Sequence, residues 1–179
     1  MASAGNLSPH TGRGERSTVW IAEDMALAES GAPYGPGLET FGLVPERLLT
    51  ITAARTHDLL WAMEEALRCR AVGAVIGELR HGELDMVTVR RLSLAAAESG
   101  ALALLLRASP PSDASTAATR WIVGAAPNDS FAARLTRNRR GPFGAWILQW
   151  SDDDERFVLA THAQPMAAPA ADRPHRKIA

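Results

Sequence analysis

Four arginines, Arg134, Arg137, Arg139 and Arg140, form the densest cationic stretch of the chain, directly before Gly141-Pro142. A guanidinium carries a permanent charge and a planar fork of donors that suits phosphate oxygens. Arg134 and Arg140 share one strand parity, and Arg137 and Arg139 the other. The four therefore predict a cationic hairpin tip and not one flat basic stripe. Such a tip has two uses: phosphate contacts whose affinity falls with salt, or keeping a sheet edge soluble. The second chemical candidate is Glu78, which closes the apolar run Val72–Leu79. A carboxylate at the carboxyl end of a parallel strand can hold a magnesium ion. It can equally cap the strand end or pair with Arg80.

Other chemistries lack their residues. Eighteen of the nineteen basic residues are arginine; the sole lysine is Lys177, followed by Ile178. A phosphate loop of the form G-x-x-x-x-G-K-[ST] needs its lysine on the β- and γ-phosphates, so these 179 residues do not encode one. Gly35-Pro36-Gly37-Leu38-Glu39-Thr40 imitates a dinucleotide fingerprint, but its third glycine is missing, and it reads as a turn. His10, His57, His81, His162 and His175 are scattered without i,i+4 spacing, which argues against a metal site. Cys69, the only cysteine, has no evident base partner and fits a reducing cytosol. No G-x-S-x-G elbow occurs. Trp61, Trp121, Trp146 and Trp150 are expected to pack in a core or at a sheet edge; base-stacking is the other use of such rings.

The elements that must position these groups follow from periodicity. Thr18–Ala22 and Leu48–Thr52 are β-type runs, and Asp24–Ser30 a short helix closed by Gly31. Thr56 is placed to cap a helix reaching about Arg70, with Leu59, Leu60, Met63, Ala66 and Leu67 on its apolar face. Glu64, Glu65, Arg68 and Arg70 fall mostly on the other face. Val72–Leu79 and Ala101–Arg107 read as strands buried on both faces, separated by a helix over about Met86–Ser99 that Gly100 stops. Strands alternating with helices imply right-handed crossovers and a parallel sheet. After the Pro/Ser loop 108–118 the pattern changes. Arg120–Ala126, Phe131–Asn138 and Ala145–Trp150 read as a meander on the edge of that sheet, and Glu155–Thr161 as a last strand. Residues 1–16 read as a flexible lead-in, 17–161 as one α/β domain and 162–179 as a disordered tail. The net charge of −1 gives no global pull toward nucleic acid, and no apolar run is long enough to span a bilayer.

This order resembles the core of RecA-type recombinases. Trp20-Ile21-Ala22-Glu23-Asp24-Met25-Ala26-Leu27 is similar to the segment carrying that family's catalytic carboxylate, which the resemblance places on Asp24. Ala74–Glu78 resembles its Walker B strand, and Arg134–Phe143 its basic hairpin. The phrases AESGAPYGPGLETFGL, DLLWAMEEALR, AVIGEL, RRLSLAAAESG, ALLLR and TRW resemble the ImuA family of inducible mutagenesis proteins within that group. The pattern departs from RecA-type proteins in its missing phosphate loop and in Leu106-Arg107-Ala108, where a γ-phosphate-sensing glutamine is usual. Asp24 and Glu78 then stand as vestiges of a degenerate nucleotide site, with no cofactor and no catalysis expected. The first strand and helix of the usual sheet are also missing, which implies a shortened copy or a gene start further upstream. The expected fold is a RecA-like α/β core: a mostly parallel sheet flanked by helices, with antiparallel strands at its C-terminal edge.

The resemblance implies a cytoplasmic, non-enzymatic adaptor in damage-induced (SOS) mutagenic translesion synthesis. Its implied partners are ImuB, an inactive Y-family polymerase relative, and an error-prone DNA polymerase, with single-stranded DNA or RecA as further candidates and no membrane. Two alternatives stay open: a single-stranded DNA-binding module using Arg134, Arg137, Arg139 and Arg140, and a SulA-type cell-division inhibitor.

Overall fold

A computed structural model describes residues 16–80, 84–108 and 116–160, and these form two four-stranded sheets in two compact units that divide at Ala117/Ala118. The lead-in and tail expected at the two ends lie outside the described residues, save Arg16. In the first unit β1 (Ser17–Glu23), α1 (Asp24–Ser30), α2 (Gly35–Glu39), a 3-10 turn (Pro45–Arg47), β2 (Leu48–Ala53), α3 (Thr56–Arg68), β3 (Val72–Leu79), α4 (Met86–Ser99) and β4 (Leu102–Arg107) follow one another. The strands lie in the order β2-β1-β3-β4, every pair parallel. This bears out a parallel sheet with crossover helices. Gly35-Pro36-Gly37 opens the short α2, with proline in its first turn, where the missing N–H costs nothing.

The core lies between this sheet and helices α3 and α4. Ile21, Leu59, Met63, Leu67 and Val75 are fully buried in it, together with Leu79, Leu92 and Ala95. Each fully buried side chain of the Leu, Ile or Val type contributes about 1.5–3 kcal/mol. Gly77 lets α3 settle onto β3: a β-carbon there would stand 2.2 Å from Met63 Sδ. Helix α4 ends as expected, with Gly100 left-handed at φ 70° and its N–H donating to the Ala96 carbonyl. Its start is fixed by Asp85, whose carboxylate accepts from the Thr88 N–H and hydroxyl, both at 2.7 Å.

Three expectations need correction. Thr56 does not cap α3. The cap position is Arg55, which makes no capping bond, and Thr56 already lies inside the first turn, where its hydroxyl is drawn to a carboxylate on β1. Glu64 is not on the solvated face; it is 6% exposed, held between Arg68 of its own helix and Arg91 of α4. Ion pairing explains why a carboxylate tolerates that burial. Nor is β4 buried on both faces. It is an edge strand, and Leu102, Leu104 and Leu106 are 50%, 39% and 41% exposed, while Ala103 and Leu105 pack on the core. By contrast Val75 and Ile76 are buried on opposite faces of β3, as expected of a central strand.

The second unit holds β5 (Thr119–Ala126), β6 (Ser130–Asn138), β7 (Gly144–Ser151) and β8 (Arg156–Leu159), an antiparallel meander in chain order. The meander expected along the edge of the parallel sheet forms a sheet of its own: β5 pairs with β6 and not with β4. Short turns let each strand satisfy its hydrogen bonds with the next one in the chain. The β5–β6 turn carries Asn128 and Asp129 at φ 60° and 52°, the left-handed pair that matches hairpin twist.

Candidate functional site

The carboxyl end of the parallel sheet gathers its polar groups around Glu23, the last residue of β1. One oxygen accepts from the Thr56 hydroxyl at the start of α3, and the other from the Arg80 N–H just past β3, at 3.2 Å. One carboxylate thus ties three chain segments together. The Arg80 guanidinium turns to Glu29 of α1, leaving its Nε buried without an acceptor among the described residues. Glu78 does not pair with Arg80. Its Oε2 accepts from the Trp20 indole N–H at 3.2 Å, across adjacent strands. Asp24 opens α1, is exposed, and makes no described hydrogen bond or ion pair. The two carboxylates singled out in the sequence, Asp24 and Glu78, are therefore not brought to a shared partner. The one that bridges, Glu23, was passed over. No group of three or more His, Cys, Asp or Glu that could hold a metal exists among the described residues.

The arginine hairpin is built differently from a compact tip. Arg134 lies well inside β6, opposite Ile122 and Ala145 on one sheet face. Arg137 pairs with Arg120 beyond a register shift at Arg120/Trp121, and its Nε is buried with no acceptor among the described residues. Only Arg139 and Arg140 belong to the turn, both exposed. Asn138 shapes that turn: its Oδ1 accepts from the Arg140 N–H, and its amide donates to the Pro142 carbonyl. No described carboxylate pairs with any of the four.

Ring contacts add a feature that single positions did not reveal. Cross-strand register puts Trp121, Phe131, Trp146, Trp150 and Phe157 on one face of the second sheet. Trp121 and Trp146 have centroids 5.7 Å apart; Trp150 meets Phe157 edge-on at 5.1 Å, and Phe131 meets Phe157 at 5.7 Å. These separations are those of paired aromatics. Gly144 makes room for one ring: a β-carbon there would lie 2.3 Å from Trp146. Trp121 is nonetheless 48% exposed.

Two exposed carboxylates are shifted. The Thr88 backbone N–H, then its hydroxyl, hold Asp85 below the usual carboxylate range. A hydrogen bond with His57 holds Asp58 low against the opposing effect of burial, with Arg55 adding to the lowering.

The fold class is thus mixed α/β, with a helix-flanked parallel sheet and a separate antiparallel one. The chain is 27% identical over 160 residues to Protein ImuA of Caulobacter vibrioides, in two strains, NA1000 / CB15N and ATCC 19089 / CIP 103742 / CB 15. The match covers 78% of this chain and 62% of those relatives, so the chain spans less than two thirds of their length. No family model matches. Among solved structures, SulA from Pseudomonas aeruginosa overlaps 52% of this chain and 71% of its own, at 28% identity and a TM-score of 0.41. No helix among the described residues is long and apolar enough to cross a membrane.

Proposed function

We propose that this protein is a non-enzymatic adaptor in damage-induced mutagenic DNA synthesis, docking an ImuB-type inactive polymerase relative and an error-prone DNA polymerase. The similarity to Protein ImuA over 160 residues carries this reading. Two physical features support it. Phosphoryl transfer works almost wholly by positioning and neutralising phosphates; these 179 residues supply no phosphate-loop lysine, and Glu78 is engaged by Trp20. The chain also presents surface of the kind partners cover, in the half-exposed leucines of β4 and the aromatic face of the second sheet.

Co-purification of the full chain with an ImuB-type protein and the error-prone polymerase tests the proposal. Retention of either partner is expected, weakened by Leu104→Glu. Absence of binding by folded protein overturns the adaptor reading. ATP hydrolysis that disappears in Glu78→Gln overturns the non-enzymatic part.

A further inference from the structure

Of the four strands at sheet edges, β5 is the longest, with eight residues against six in β2 and β4 and four in β8. It is also open on both faces. Thr119 and residues 121–125 are all exposed, Val123 at 63% and Trp121 at 48%, whereas β4 alternates between open and covered positions. Residues 121–126 include no charge and no proline, so the strand lacks the usual devices that keep an edge from pairing. The sheet also divides its charge between its two ends. Asp129 lies in the β5–β6 turn and Asp152, Asp153 and Asp154 in the β7–β8 turn, which share one end; Arg139 and Arg140 occupy the β6–β7 turn at the other.

We infer that β5 pairs antiparallel with β5 of a second copy of this chain, about a two-fold axis through Val123, joining two four-stranded sheets into one of eight strands. Side-chain sizes select that register. It sets Trp121 opposite Ala125 on one face and Ile122 opposite Gly124 on the other, so each large side chain meets a small one. Gly124 has the room: a β-carbon there would meet nothing within 4 Å. An axis at Ile122 would crowd Trp121 against Val123, and one at Gly124 would bring Trp121 to Pro127, which has no N–H to donate. Charge complementarity sets the direction. Antiparallel pairing brings the arginine end of each sheet level with the acidic end of the other, whereas parallel pairing would align like charges. Because both copies use the same strand, the contact closes at two and leaves no β5 edge open. The inference does not depend on the adaptor reading, whose test position, Leu104, lies on the other sheet.

Sedimentation equilibrium of the full chain is the test. A monomer–dimer equilibrium with a dissociation constant on the order of 10 μM is expected, as for a small interface. Val123→Glu and Val123→Lys each set like charges face to face at the axis, and each should weaken the dimer about tenfold. Val123 is exposed in the single copy, so both variants should keep the parent's circular dichroism. Mixing the two variants should restore the dimer, because opposite charges then meet. Leu104→Glu should leave it unchanged. A chain still monomeric at ten times the expected constant overturns the inference. So does a dimer that persists in both single variants, or a mixture of the two folded variants that stays monomeric. Loss of the dimer in Leu104→Glu would move the contact to β4 and overturn it as well. Should the chain stay monomeric while the Val123 variants lose a polymerase partner, β5 is that partner's docking edge and the inference fails, with the adaptor reading intact. A dimer in a chain that captures no polymerase relative supports the inference while the adaptor reading falls.

Discussion

The two sheets bury themselves by different means. The parallel sheet presses aliphatic side chains against α3 and α4, and nearly all the fully buried residues belong to it. In the antiparallel sheet only Ala133 and Leu135 are buried apolar residues, and its large side chains are rings that touch each other while staying partly open. The first arrangement draws its stability from exclusion of water and close packing. The second holds a broad, partly open apolar face on a hydrogen-bonded frame.

Substitutions can break that contrast. Gly77→Val should have the largest effect, because its side chain would occupy the space of Met63; a loss of about 3 kcal/mol in urea unfolding is expected from overpacking of this kind. Glu64→Ala should follow. It strips Arg68 and Arg91 of their common partner, and since both are half exposed the loss should be about 2 kcal/mol, less than for a fully buried pair. Glu23→Ala should cost about 1–2 kcal/mol through its two part-buried hydrogen bonds. Leu104→Ala, on the open face of β4, should change stability by less than about 1 kcal/mol, far below the roughly 2–5 kcal/mol expected of Leu59→Ala in the core. Equal losses at Leu104 and Leu59 would show that something covers β4.

The smallest effect concerns pH. Asp85 is held below its ordinary value of 3.8 by Thr88, so its contribution is present above that value and lost as pH falls through the depressed one. Asp85→Asn should flatten the acid limb of a stability–pH curve. An unchanged limb would mean that the α4 cap does not titrate with folding.

Element types were legible in the sequence because each has a local cause. The 3.6-residue periodicity of Leu59, Met63 and Leu67 marks α3, and Gly100 marks the end of α4. What escaped reading was set by neighbours distant in the chain. Glu23 and Asp24 are adjacent, yet one residue of register decides which faces inward. Glu64 looks solvated until Arg91, 27 residues away, is brought beside it. ALALLLR has the composition of a central strand, and only sheet order reveals β4 as an edge. The aromatic face was hidden because Trp121 meets Trp146, and Phe131 and Trp150 meet Phe157, only through pairing across three turns. A one-residue signal did exist for Trp146, in Gly144 two positions earlier on the same strand face.

The separation of turn acids from turn arginines has a consequence for motion in solution. Taken by itself, a sheet with opposite charges at its two ends carries a dipole moment along its strands and feels a torque in an external field. Near a polyanion, the β6–β7 turn would lead and the β7–β8 turn would trail. Collisions would then be pre-aligned at low ionic strength, and added salt would randomise them within about 10 Å of the surface.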